Sequence, residues 1–152
     1  MAIASISYLP VFGDKNEFLH LVPDGKYNVV YVGHQTHRFF NGAPKVVFWF
    51  RIVDMGEHFG KLVPRYYNVK RFKGKKGRNG GFVPGRSSDF IRDYYRVVSA
   101  PVARLDRLPL GRLKNIIIQV TTRTVKNDGD QQALPDVLMY SVVDIVVGKG
   151  DI

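Results

Sequence analysis

The run VVFWFRIV, Val46 to Val53, constrains this chain more than any other stretch. β-Branched and aromatic residues in unbroken succession suit a pleated strand. Its period of two puts Val46, Phe48, Phe50 and Ile52 on one face and Val47, Trp49, Arg51 and Val53 on the other. The first face is wholly apolar and requires a core. The second carries the only Trp of the chain beside an Arg, and is expected to be the exposed, ligand-facing side. A strand this apolar needs partners along both of its edges, so the remaining chain has to supply a sheet.

Those partners are legible on either side. Asp24-Gly25 turns into KYNVVYV (26–32), a first strand, and GHQTHRFFNGAP then reads as a loop around the turn signal Asn41-Gly42. DMGEHFG is a tight connection into LVPRYYNV (62–69), where Pro64 marks an edge or bulged strand because proline cannot donate to a ladder. Tyr66 and Tyr67 must point to opposite faces, and Arg65 with Tyr67 is the expected outward pair. In SSDFIRDYYRVVSA, Ser87 or Ser88 can cap a helix. Phe90, Ile91, Tyr94, Val97 and Val98 follow at helical spacing, and Pro101 stops the element. Residues 105–113 form a loop, and the strands 115–125 and 137–147 are joined by the polar segment KNDGDQQALPD. The expected fold is therefore mainly β: a five-stranded OB-fold-like barrel with one short helix between strands 3 and 4. The barrel domain spans 26–147, preceded by an irregular arm (1–25) and followed by a frayed tail (148–152).

At 152 residues with 45% hydrophobic content, one domain with a real core is expected. No Cys is present, which excludes disulfides, thiolate zinc sites and a thiol nucleophile and suits a cytoplasmic location. The first residues lack the basic and apolar regions of a signal peptide, no apolar run is long enough to span a bilayer, and no basic amphipathic helix suggests membrane contact.

Charge is where function becomes readable. The net charge is +10, but it is not spread evenly: residues 61–126 hold 17 Lys or Arg against three acids, and the remainder holds six against ten. Within KLVPRYYNVKRFKGKKGRNGGFVPGR (61–86) there are nine cations and no acid, interleaved with Tyr66, Tyr67, Phe72 and Phe82. So much like charge repels itself unless an anion is bound, and rings among cations suit a polyanion with unstacked bases. The candidate contacts are Lys70, Arg71, Lys73, Lys75, Lys76 and Arg78 for phosphates, with Arg38, Arg51 and Arg65 beside them. Trp49, Tyr67, Phe72, Phe39 and Phe40 are the candidate stacking rings, although each ring weighed alone is as well explained by core packing. Glycines 74, 77, 80 and 81 suggest a loop that is mobile when free and orders on binding. Nothing in it reads base edges, so sequence preference should be weak. KGKKGRNGG lacks the spacing of a phosphate-binding P-loop.

The segments PDGKY, GEHFGKLVPRYYNV, LPLGRLKNIIIQV and MYSVVDIVV, with the short helix between them, resemble small OB-fold single-stranded-DNA-binding proteins of phages and mobile elements, over roughly residues 23–147. The resemblance implies a protein that coats unpaired DNA in replication or recombination, often as a dimer or larger assembly. Bacterial housekeeping relatives end in an acidic tip that recruits partners, whereas this chain ends Gly148-Lys149-Gly150-Asp151-Ile152.

Catalytic signals are weak. His34 and His37 form an HxxH pair without an accompanying Glu, and Asp54, Glu57 and His58 lie in a segment better explained as a turn. Asp144, on an apolar strand, should pair with an Arg or face outward. The expected function is non-enzymatic and without cofactor or metal: binding of single-stranded DNA with little sequence preference. The rivals are an RNA-binding barrel, a structural barrel assembling with a nucleoprotein complex or its own copies, and, behind both, a nucleic-acid hydrolase.

Overall fold

The computed structural model describes residues 20–38, 42–99, 108–127, 131–135 and 139–150. Its strands are β1 (Lys26–Arg38), β2 (Pro44–Ile52), β3 (Leu62–Asn68), β4 (Arg71–Lys73), β5 (Gly81–Val83), β6 (Ile118–Val125) and β7 (Tyr140–Lys149). Among the described residues one α-helix, α1 (Asp89–Val97), follows β5, and a 3-10 helix (Leu110–Leu113) precedes β6.

Five strands form one antiparallel sheet in the order β3-β2-β1-β6-β7, and β4 pairs with β5 in a separate hairpin. The expected architecture needs two corrections. The helix lies between strands 5 and 6, because the basic stretch itself pairs into a hairpin (Arg71 opposite Val83, Phe72 opposite Phe82, Lys73 opposite Gly81). The large sheet is also not closed into a barrel: β3 and β7 are its two ends.

Those two ends nevertheless approach each other, and other groups span the gap. Leu62 N–H donates to His20 Nδ1 at 3.1 Å, while Ser141 N–H donates to the His20 carbonyl at 2.9 Å. Further along, Arg65 Nη1 donates to the carbonyls of Val143 (3.2 Å) and Asp144 (2.7 Å). Residue numbers rise together on both sides of this seam, so β3 and β7 run in the same direction across it.

The core follows from the alternation in β2. Val46, Phe48, Phe50 and Ile52 are buried on the inner face, as expected, against Phe90, Tyr94 and Val97 of α1. The Phe48 ring lies 5.2 Å from that of Phe90 and 5.6 Å from that of Tyr67. Burying such a ring is worth about 1.5–3 kcal/mol, so this cluster is a principal hold between helix and sheet. Ser88 caps α1 by accepting from Ile91 N–H, and Asp89 in the first turn faces the positive end of the helix dipole.

The second face of β2 departs from expectation. Val47 and Trp49 are buried with Val32, and Val30, Leu62 and Tyr66 pack around them. The register explains how so large a ring fits. Trp49 lies opposite Gly33 on β1 and Pro64 on β3, and its indole N–H donates to Gln35 Oε1 at 3.2 Å. Pro64 sits on an edge strand, as its chemistry requires.

β1 runs six residues beyond its expected end at Val32. A register shift between Tyr31 and Gly33 lets it bulge, after which Gln35, Thr36 and His37 pair with Val47, Val46 and Lys45. The final strand likewise continues through Lys149, and Gly150 N–H donates to the Ile117 carbonyl at 2.7 Å, so the tail is tied down that far. Most of the arm, residues 1–19, lies outside the described residues; His20 and Val22 are joined to β7, and Val22 is buried.

Candidate nucleic-acid interface

The β4–β5 hairpin is where cations accumulate, and its placement begins with β1. The bulged extension of β1 exposes a row of main-chain groups, and the hairpin loop uses them. Thr36 N–H donates to the Gly77 carbonyl (2.9 Å), Gly77 N–H donates to Thr36 Oγ1 (2.9 Å), and Asn79 N–H donates to the His34 carbonyl (2.8 Å). Gly77 (φ 139°) and Asn79 (φ 57°) adopt the left-handed conformations that this reversal needs. Gly80 packs so closely that a Cβ there would collide with Thr36 Oγ1. The expectation of a loop without structure until a ligand arrives is therefore replaced by one with fixed partners on β1.

His34 completes the attachment. Its Nε2 faces the Gly80 carbonyl at 3.0 Å, which can only accept, so Nε2 carries the proton. Nδ1 is then the acceptor for the Tyr31 hydroxyl at 2.8 Å, whose own pKa burial pushes up to about 12. Burial lowers the His34 pKa, partly opposed by its bond to Gly80. His37 lies three residues on along the same strand and so points to the opposite face. The HxxH pair therefore cannot chelate, and no cluster of three or more metal-ligating side chains occurs among the described residues. Asp54 is spent on Asn28, accepting from its main-chain and side-chain amides at 2.8 and 2.9 Å.

Lys70, Arg71, Lys73, Lys75, Lys76 and Arg78 are all exposed on or beside the hairpin, and Phe72 is half-buried among them. Arg38, exposed at the end of β1, places its guanidinium 5.1 Å from the centre of the Phe72 ring and donates to the Gly42 carbonyl at 3.0 Å. The end of β1, the start of β2 and the hairpin thus meet at one end of the sheet, forming a rim of positive charge. Phe39 and Phe40 lie outside the described residues.

The remaining candidates are elsewhere. Trp49 and Tyr67 are each only 4% exposed, so neither ring can stack on a base in this conformation. Arg51 is half-buried on the Trp49 face, with its Nε lacking a hydrogen-bond partner among the described residues. Arg65 and Tyr67 do share a face, but it is the inner one: they lie opposite Phe48 and Val46, while Tyr66 lies opposite Val47 on the other side. Arg65 Nε pairs with Asp93 at 2.8 Å, and Tyr67 donates to the same carboxylate at 2.6 Å. Beside this carboxylate, burial raises the Tyr67 pKa well above its usual value. Asp93 also accepts from Arg96 Nη1 at 3.0 Å. This network is structural, and a carboxylate three residues from Phe90 and four from Val97 was the sequence signal for it. Asp144 is exposed and pairs with Arg123 at 3.2 Å.

No protein-family model, curated protein or solved structure matches this chain.

Proposed function

We propose that the protein binds single-stranded nucleic acid, DNA in the first instance, with little sequence preference and without catalysis. The observation that carries this reading is the charged hairpin. Its cations are exposed, no acid occurs between residues 61 and 86, and its main chain is anchored to β1. An anchored cationic projection is preorganised for a phosphate backbone, since less ordering is required when a strand arrives.

The topology supports the same reading. We read the open sheet order β3-β2-β1-β6-β7, with β3 and β7 running in the same direction across a side-chain-bridged seam, as an OB-type plan carrying an inserted β4–β5 hairpin. Compared with the expectation from sequence, contact moves from the Trp49 face to the rim formed by Arg38, Phe72 and the hairpin. Phosphate neutralisation then supplies most of the affinity, and stacking a smaller share. Replication or recombination of a phage or mobile element is the setting that the resemblance in pattern suggests. RNA offers the same phosphates and bases, and its 2′-hydroxyl is what would distinguish it.

A second reading, a barrel that assembles with its own copies, is favoured by Ile145 and Val147, which are 49% and 43% exposed on β7. The two readings are compatible.

The test is a salt-dependent competition among single-stranded DNA, duplex DNA and single-stranded RNA. If about five cations engage, log affinity falls with log salt at a slope near −3.5, at ~0.7 per contact. Arg71→Glu/Lys75→Glu/Lys76→Glu should abolish binding at moderate salt with the melting temperature almost unchanged. Binding that survives this triple reversal sinks the proposal.

A further inference from the structure

Between the hairpin, the start of α1 and the 3-10 helix lies a cavity of about 200 Å³. Its apolar lining comes from Phe82, Phe90, Pro84 and Leu110, and His34 lines it too. Lys73, Asn79, Gly80 and Gly81 also line it, and Lys73 and Asn79 are exposed, so the solvent side of the cavity is polar and carries a positive charge. Both ring nitrogens of His34 are engaged by Tyr31 and Gly80, so the imidazole is a neutral lining group and not a free acid or base.

We infer that this cavity receives one unstacked nucleobase from a strand whose phosphates lie along the hairpin. Three observations select that occupant. Pockets for drug-sized ligands span about 300–1,000 Å³, so this one has room for a single ring system and not for a dinucleotide. Phe82 and Phe90, 8% and 3% exposed, offer only the part of each ring that borders the cavity, and with Pro84 and Leu110 they make an apolar lining that any base can contact without full stacking. Lys73 lies on the solvent side of the cavity and on the strand that leads into the cationic loop, so a base in the cavity places its own phosphate beside an ammonium. Asn79 adds one donor and one acceptor towards a base edge. The inference rests on the nucleic-acid reading and deepens it: the base-binding element is a socket at the root of the hairpin, not the face of β2 and β3.

The experiment compares a short oligothymidine with a strand of the same length made entirely of abasic deoxyribose phosphate. Wild type should prefer the strand with bases by about 5-fold, the low end of what one stacked base is worth, because only part of each ring borders the cavity. Leu110→Trp, which fills the socket, should lose that preference while keeping its affinity for the abasic strand. Retention of the preference by a folded Leu110→Trp variant overturns the socket and leaves phosphate binding standing. Failure of wild type to bind either strand at low salt overturns both readings together. A second measurement needs no variant. Added deoxyadenosine monophosphate should shift the backbone amide resonances of Asn79, Gly81 and Phe82 in wild type, and deoxyribose 5-phosphate should not. Equal shifts with both compounds would mean that only phosphate is recognised there, and would overturn the socket.

Discussion

Asp93 is 4% exposed on the inward face of α1, where an unpaired carboxylate would be costly. Its oxygens instead receive Arg65, Arg96 and Tyr67, from a strand, its own helix and the same strand respectively. Removing one member of such a buried group leaves the others desolvated without a partner, which typically costs about 3–5 kcal/mol. Arg65 would keep the carbonyls of Val143 and Asp144, and Arg96 is half exposed, which argues for the low end of that range. Asp93→Ala should therefore lower the unfolding free energy by about 3 kcal/mol in chemical denaturation. A loss below about 1 kcal/mol, the value of an exposed pair, would show that the network is solvated. The same residues show why the outward face of β3 is ambiguous in the sequence. Period two correctly places Arg65 and Tyr67 together, but it leaves open which face is the inner one. Only the pairing of Tyr67 with Val46 and Arg65 with Phe48 decides that, and a one-residue slip reverses it for the whole strand.

At the scale of elements, the hairpin and the end of β1 depend on each other. Thr36 Oγ1 is held by Gly77 N–H and packs against Gly80 where no Cβ can fit. Gly80→Ala must push the hydroxyl away from its bond or lift the loop from β1, and overpacking of this kind costs about 1–3 kcal/mol. Hydrogen exchange should report it locally. The amides of Thr36 and Asn79 should exchange faster, while Val29 and Tyr31, paired to β2 before the bulge, should be unchanged. Protection at the wild-type level in all four would show that the loop tolerates a methyl group. Neither partner is readable from sequence, for a physical reason. Arg71-Phe72-Lys73 has a single apolar residue and is too short for a periodic signal, and Gly33-His34-Gln35-Thr36-His37 has the composition of a loop. Arg71–Lys73 is strand because Gly81–Val83 pairs with it, and residues 33–37 are strand because β2 pairs with one edge while the hairpin loop bonds to the other. The elements that can be read, β2 and α1, are those whose own side chains supply the burial. The concentration of cations is readable from sequence as well, and the hairpin that displays them is not.

For the molecule as a whole, the large sheet is laddered everywhere except at the seam between β3 and β7, and the basic loop is attached to it by a few bonds only. A histidine sits at each of these joints, acting through Nδ1 as an acceptor. His20 receives Leu62 N–H at the seam, and His34 receives the Tyr31 hydroxyl beside the loop. Burial lowers both pKa values below the usual 6.5; the Leu62 carbonyl, 3.4 Å from the same His20 Nδ1, opposes this while Lys61 adds to it, and the bond to the Gly80 carbonyl opposes it at His34. His37 is lowered too, by burial and then by Lys76. A histidine with a lowered folded-state pKa binds protons more readily in the unfolded chain, so stability rises with pH across that window. The contribution is complete above 6.5 and is lost as the pH falls from there through the folded-state values. Protonation also converts each Nδ1 from acceptor to donor: at His20 the Leu62 N–H loses its acceptor while the Leu62 carbonyl, 3.4 Å away, gains a donor, whereas at His34 the Tyr31 hydroxyl can rotate to accept. The denaturation midpoint should therefore decline as the pH drops below 6.5. Hydrogen exchange over the same range should show Leu62 losing protection before the β1–β2 ladder does. A midpoint that stays flat through this window, or loss of the ladder first, would show that the joints do not depend on neutral imidazoles. The same acidification increases positive charge near the rim through His37, so affinity for a polyanion should rise while the scaffold that presents the rim loosens. The two trends are separable, because binding at fixed pH is measured against salt and stability against denaturant.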